Sequence, residues 1–354
     1  MVRMRVYKRQ EPLGWATCLV FLGAVTLSMV LCGTLLWVHG KPAVGGIWLL
    51  IRSAYFSAYA VEDCLIKAVP IFLCSLGVAF AFRLQVWNIG AEGQYALGTV
   101  GASWAALTFQ GLPWYFLLPL MLLAASVAGG LWSYIPAYLR NKLQANEIII
   151  TLMMNYIGIF ILEYLVYGPW KDPSSFGFPM TKTFTQAAVV GNIGGTRLNW
   201  GLAVCVVAGT ASWIFFRFTR LGFELKASGE NPKAADYARL AYPRLVVIVM
   251  VLSGMLAGWA GFLEASASLN RLQPSIIAGY GYTAIVVAWL ASLNPLLIAL
   301  ASFLLAGLRV GLEILQLEMQ VPAAFGSMLE GMILLTVLAG GFFTRYRMAL
   351  WRRP

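Results

Sequence analysis

Arg244-Leu-Val-Val-Ile-Val-Met-Val-Leu-Ser253-Gly-Met-Leu-Ala-Gly-Trp-Ala-Gly-Phe-Leu-Glu264-Ala-Ser-Ala-Ser268 carries no charge between Arg244 and Glu264. A helix needs about 20 mostly apolar residues to cross a bilayer, and this stretch supplies them. Gly254 and Gly258 form a GxxxG pair that Gly261 extends toward Glu264. Such a face lets a second helix approach at backbone distance, so the seam is expected to pack against another helix.

The rest of the chain has the same character. Of its 354 residues 60% are apolar and 11% charged, and the mean hydropathy is +0.77. Soluble domains carry about 25% charged residues, and no soluble core hides this much apolar surface. Ten stretches read as spans: 15–38, 66–83, 89–109, 113–139, 147–168, 200–217, 244–268, 278–293, 295–313 and 325–342. Only Asn294–Pro295 separates the eighth from the ninth. The fold class is therefore an all-α polytopic membrane protein of about ten transmembrane helices, some broken or re-entrant. Nothing marks a separate soluble domain, so residues 1–354 read as one transmembrane domain.

Charge orients it. With the N-terminus inside, cytoplasmic segments hold 17 Lys and Arg and outer segments 7, with Arg309 inside a span. The positive-inside rule then places both termini in the cytoplasm. The net charge of +11 is thereby a consequence of topology rather than a sign of nucleic acid. The apolar stretch from Trp15 to Val38 exceeds the roughly 7–15 residues of a signal-peptide core and reads as an uncleaved first span. Of the outer segments, 39–65 places Trp48, Tyr55, Phe56 and Tyr59 on one face of an interfacial helix. The other long one, 169–199, reads as a water-exposed loop.

No catalytic motif is present. A GxxxxGK[ST] phosphate loop is absent, and His39 is the one histidine. Cys18, Cys32, Cys64, Cys74 and Cys205 show no metal-ligand spacing and read as packing residues. No metal or other cofactor is expected, and any ATP-driven motor must lie on another subunit.

Polar residues within spans are the candidates for a solute path. Asn88, Glu92 and Gln94 open the third span, where Gly90, Gly93, Gly98 and Gly101 permit a break or close approach. Asn155 lies in the fifth span and Glu264 at the end of the seventh. Arg309 and Glu313 stand one turn apart and are expected to pair. On the inner side, residues 218–243 contain a helix start, with Asn231 as N-cap and Pro232 at the first helical position. That helix is expected to stop before Pro243.

Several blocks, in order over roughly 66–342, resemble one family. Phe82-Arg-Leu-Gln-Val-Trp-Asn-Ile-Gly-Ala-Glu-Gly-Gln94 resembles the signature of ABC permeases for branched-chain amino acids, ribose and nucleosides. Asn146-Glu-Ile-Ile-Ile-Thr-Leu-Met-Met-Asn-Tyr156 is similar to the simple-sugar/nucleoside branch, as are Tyr167–Pro173, Gly222–Ala235 and Ala278–Ala288. The resemblance implies a permease subunit in the bacterial inner membrane, importing a nucleoside or related simple sugar. Its implied partners are cytoplasmic ATP-binding subunits, a second permease and a periplasmic or lipoprotein solute-binding protein. It also implies that 218–243 is a coupling segment docking on the ATPase through Glu230, Asn231, Pro232, Ala234, Ala235 and Tyr237. Two departures stand out: Arg239 where the family usually has Gly, and Trp289-Leu290-Ala291 where Leu-Leu-Gly is usual. The competing expectation is an ion-coupled carrier using Glu92 or Glu264.

Overall fold

The computed structural model describes residues 3–8, 16–231, 235 and 237–351. It divides into two compact units, residues 65–306 and residues 1–64 with 307–354. The helices, in order, are α1 (Ala16–Val38), α2 (Ala43–Tyr55), α3 (Ala58–Arg83), α4 (Ala91–Thr108), α5 (Trp114–Leu143) and α6 (Glu147–Tyr167). They continue as α7 (Gly201–Phe218), α8 (Arg220–Glu230), α9 (Tyr242–Leu263), α10 (Tyr280–Leu290), α11 (Pro295–Met319) and α12 (Ala323–Arg345).

Each of the ten expected spans contains a helix. Seven of the described helical stretches are long and apolar enough to cross a membrane: α3, α5, α6, α7, α9 with its extension to Leu269, α11, and 324–342 of α12. The helix α10, with 11 residues, is shorter than a bilayer crossing demands. Gly- and Ala-rich α4 holds Glu92 in its first turn and is not among the seven.

In the unit formed by residues 65–306, α4, α5 and α9 pack as a tight group, with α6 and α10 against α4. The glycine seam explains the closeness. A Cβ on Gly254 would strike the carbonyl of Gly129 on α5, and one on Gly258 the carbonyl of Ala125. A Cβ on Gly261 would lie 2.5 Å from the carbonyl of Tyr95 on α4. The seam thus serves two neighbours rather than one. At its far end α9 becomes a π-helical turn, Glu264–Leu269, stopped by Asn270 at φ 55°.

The segment 169–199 differs from the expected water-exposed loop. Phe184, Ala188 and Val190 are buried. Its backbone N–H groups at Thr181, Phe184 and Val190 donate to the carbonyls of Leu272, Asn270 and Ser266. A polar composition concealed this because the bonds are made by main chain, which carries no sequence signal.

The second unit is built from α1, α2, the 58–64 start of α3, the 307–319 end of α11, and α12. Here α1 packs on α12 and α2, and His39 meets the Phe325 ring edge-on at 4.9 Å. Arg309 bonds Glu330 on α12, Nε to Oε1 at 2.8 Å, a cross-helix partner beyond the same-helix Glu313 that the spacing suggested. Of the four aromatics expected on one helix, Trp48 and Tyr55 lie on α2, Phe56 is its C-cap, and Tyr59 lies on α3, which begins at Ala58, earlier than 66. An antiparallel ribbon pairs β1 (Arg3–Lys8) with β2 (Tyr346–Trp351), Arg3 opposite Trp351 and Lys8 opposite Tyr346.

Candidate functional site: the segment between α3 and α4

Residues 84–90 form an irregular link between α3 and α4, with Gln85 at φ 58°. Its polar groups and those of the first α4 turn bond to four other parts of the chain. Asn88, fully buried, pairs amide to amide with Gln94 at 3.1 Å in both directions, and its Nδ2 donates to Ser253 Oγ on α9 at 2.8 Å. Asn88 Oδ1 also accepts from Gly90 N–H at 3.0 Å, an Asx turn that leads the chain into α4. On α6, Asn155 Oδ1 accepts from Gly93 N–H at 2.8 Å, while its Nδ2 donates to the Ile89 carbonyl at 2.8 Å and Tyr282 Oη at 3.3 Å. No Cβ fits at Gly93, where it would stand 2.9 Å from the Asn155 Cα.

Glu92 has 0% exposure. Its Oε1 accepts from Gly279 N–H at 2.9 Å and its Oε2 from Gly281 N–H at 2.6 Å. These donors lie at the N-terminus of α10, whose first N–H groups have no partner within the helix. Glu92 also sits in the first turn of α4, so the carboxylate faces the positive ends of two helix dipoles. A Cβ at Gly281 would collide with the Glu92 backbone nitrogen, so the contact depends on glycine there.

On its other side the link touches the 218–243 segment. Gln85 Nε2 donates to the Gly229 carbonyl of α8 at 2.6 Å, and a Cβ on Gly229 would strike the Arg83 carbonyl. Arg83 itself donates to the Leu293 carbonyl at 2.8 Å and lies 3.7 Å over the Phe216 ring. Trp87 stacks on Trp289 with ring centroids 5.5 Å apart at 24°, so one departure from the family pattern makes a contact with the signature segment itself.

Four of the five expected path residues, Asn88, Glu92, Gln94 and Asn155, thus belong to one buried hydrogen-bonded cluster. Glu264 does not join it. It opens the π-helical turn, accepts from Ser268 Oγ at 3.4 Å, and stands about 16 Å along the helix axis from Ser253 at 1.5 Å per residue. Sequence reasoning missed Gln85, Ser253 and Gly279–Gly281. The one available signal was the pair of glycines flanking Tyr280.

In the 218–243 segment, α8 spans Arg220–Glu230 and was not expected; Asn231, expected as an N-cap, closes it as C-cap. The Asn231 carbonyl also accepts from Ala235 N–H at 3.1 Å, and Leu240 N–H returns to the Ala235 carbonyl at 3.0 Å. With Arg239 at φ 54°, this is the six-to-one closure of a helix that ends in a left-handed residue. The other departure, Arg239, therefore occupies a position that favours glycine. Glu230 pairs with Lys226 at 3.9 Å on the surface. Ala235 is 4% exposed and faces inward, whereas Tyr237 is 94% exposed. Pro232 and Ala234 lie outside the described residues.

A family model described as "Branched-chain amino acid transport system / permease component" matches residues 59–338. The chain belongs to that permease family. It is 34% identical to the "Glucose ABC transporter permease protein TsgB13" of Haloferax volcanii, covering 99% of this chain and 94% of that protein. It is 31% identical to the "Guanosine ABC transporter permease protein NupP" of Bacillus subtilis, covering 93% and 95%. The "Nucleoside ABC transporter permease protein NupB" of Lactococcus lactis subsp. cremoris is 29% identical over 83% of each chain. The permease is a multi-pass membrane protein, a transport component rather than an enzyme. Among its described residues no group of three or more His, Cys, Asp or Glu could hold a metal.

Proposed function

We propose that this permease imports a nucleoside or related simple sugar across the bacterial cytoplasmic membrane, as one subunit of an ATP-binding-cassette importer. The observation that carries the reading is full-length similarity to permeases for glucose and guanosine at 34% and 31% identity. A second permease chain completes the path, a solute-binding protein delivers from outside, and cytoplasmic ATP-binding subunits hydrolyse ATP. Both termini face the cytoplasm and about ten helices lie in the membrane, a count supported by charge asymmetry.

In this reading the inner segment 218–243 receives the ATPase, with Tyr237 on the docking face. The link 84–90 carries its displacement inward. One end of the link bonds α8 through Gln85; the other end, with the first turn of α4 that follows it, bonds α6, α9 and α10 through Asn155, Asn88 and Glu92. A shift of α8 therefore acts on three helices at once. The ion-coupled alternative is weakened, because both oxygens of Glu92 already accept backbone bonds that a proton would disrupt.

The test is reconstitution with and without the ATP-binding subunits and the solute-binding protein, measuring uptake of labelled nucleosides and glucose. Uptake that requires ATP on the ATPase side supports the reading. Uptake by this chain alone, driven by an ion gradient and indifferent to ATP, sinks it.

A further inference from the structure

Helices α3, α7 and α11 enclose a groove of about 470 Å³ within residues 65–306. Ala68 and Phe72 of α3, Cys205 and Gly209 of α7, and Phe303 of α11 form its wall. Among the described residues lining it, the one hydroxyl, Thr210 Oγ1, is bonded at 2.7 Å to the Val206 carbonyl of its own helix. The wall therefore offers a ligand no unpaired hydroxyl. The groove is open on one side, where Val206 and Leu296 are 68% and 73% exposed. Its depth depends on Gly209, where a Cβ would already press the Phe72 ring at 3.1 Å.

Length and polarity define what fits. Along α7 the lining runs from Leu202 to Trp213, about 16 Å at 1.5 Å per residue. That is close to one leaflet, half of the roughly 30 Å hydrocarbon thickness. At the Trp213 end the chemistry changes. The Arg217 guanidinium lies 5.5 Å from the Trp213 ring and 5.8 Å from that of Phe218, and it has no acidic partner among the described residues. An apolar slot one leaflet long, ending in an indole and an exposed guanidinium, matches an acyl chain continuing into a negatively charged headgroup.

We propose that this groove binds one acyl chain of an anionic phospholipid, with Arg217 holding the headgroup phosphate. Assignment to the inner leaflet rests on the topology proposed above; the site itself does not.

Phosphatidylglycerol and phosphatidylcholine of equal chain length are the probes, offered to the detergent-purified full chain and read by native mass spectrometry. One basic residue near a lipid surface favours the anionic lipid about fivefold. Wild type is expected to retain one phosphatidylglycerol with that preference. Arg217→Gln, at an exposed position, is expected to retain both lipids alike, and Gly209→Trp neither. As a check that needs no variant, phosphatidylglycerol with a photoreactive diazirine on its acyl chain is expected to label 202–213 and 295–303 above α6. Equal retention of both lipids by wild type overturns the proposal, as does labelling spread evenly over the lipid-facing helices. A dimer of this chain that protects Cys205 from alkylation in the absence of lipid also overturns it, since a second copy then fills the groove.

Discussion

Replacing Glu92 with Gln keeps the side chain's volume and removes its charge. One amide oxygen can still accept from Gly279 or Gly281, but the amide nitrogen then faces an N–H donor. Hydrogen bonds to a charged group contribute about 1.5–3 kcal/mol, and an orphaned buried donor costs about 1–3 kcal/mol. Loss of one bond, together with weaker interaction with two helix N-termini, comes to about 3 kcal/mol. For a unit the size of residues 65–306, this corresponds to a fall of roughly 6–12 °C in Tm, at about 2–4 °C per kcal/mol. Glu92→Asp, one methylene shorter, reaches one donor at a time and is expected to fall between. The assay is thermal unfolding in detergent, paired with alkylation of a cysteine introduced at Tyr282 to report opening of α10. A Glu92→Gln protein that melts within a degree or two of wild type, with α10 equally protected, refutes the claim that Glu92 holds that helix.

Gly254→Ala places a methyl against the Gly129 carbonyl and is expected to cost about 1–3 kcal/mol by overpacking, read as lower Tm and poorer monodispersity. Asn155→Leu leaves the Gly93 N–H without its acceptor and is expected to cost about 1–3 kcal/mol, visible as faster exchange of that amide. Arg239→Gly relieves a left-handed residue and is expected to stabilise the 218–243 segment by about 1 kcal/mol, measured as slower exchange of the Leu240 amide. In the 169–199 segment, the Ser174 N–H and hydroxyl hold the Asp172 carboxyl below the usual carboxylate range. A depressed carboxylate contributes stability above its unfolded pKa that is lost as pH falls through the folded one. Proteolysis of 169–199 by an acid-active protease is therefore expected to accelerate only at pH below the ordinary carboxylate range, and Ser174→Ala to move the onset upward.

The membrane character, the glycine seam and the place of the polar cluster were all legible in the residues. Each is a matter of composition or of spacing along one helix. What Glu92 does was not legible. Its donors are backbone N–H groups 187 and 189 positions away, and a main-chain donor leaves no side chain in the sequence to find. The same reason hides Gln85, whose acceptor is the Gly229 carbonyl. Helix α8 was concealed because Gly222 and Gly229 look like loop residues. Both are there for close approach, to the Phe215 and Arg83 carbonyls. Arg309 had acidic residues in reach of sequence reasoning only along its own helix, so Glu330 was invisible until the fold brought α12 beside it. Ala235 was a plausible docking residue by composition, and only burial separates it from Tyr237.

In the proposed mechanism the 84–90 link transmits the motion of α8 to α6, α9 and α10. Gln85→Leu removes its side-chain bond to α8 without touching Tyr237 or the Asn88–Glu92 cluster. The decisive measurement is solute imported per ATP hydrolysed, in proteoliposomes containing the complete complex. A lost coupling energy near 1.4 kcal/mol corresponds to about a tenfold fall in that ratio, with ATP-binding subunits still co-purifying at the wild-type level. An unchanged ratio, with the complex intact, contradicts the account.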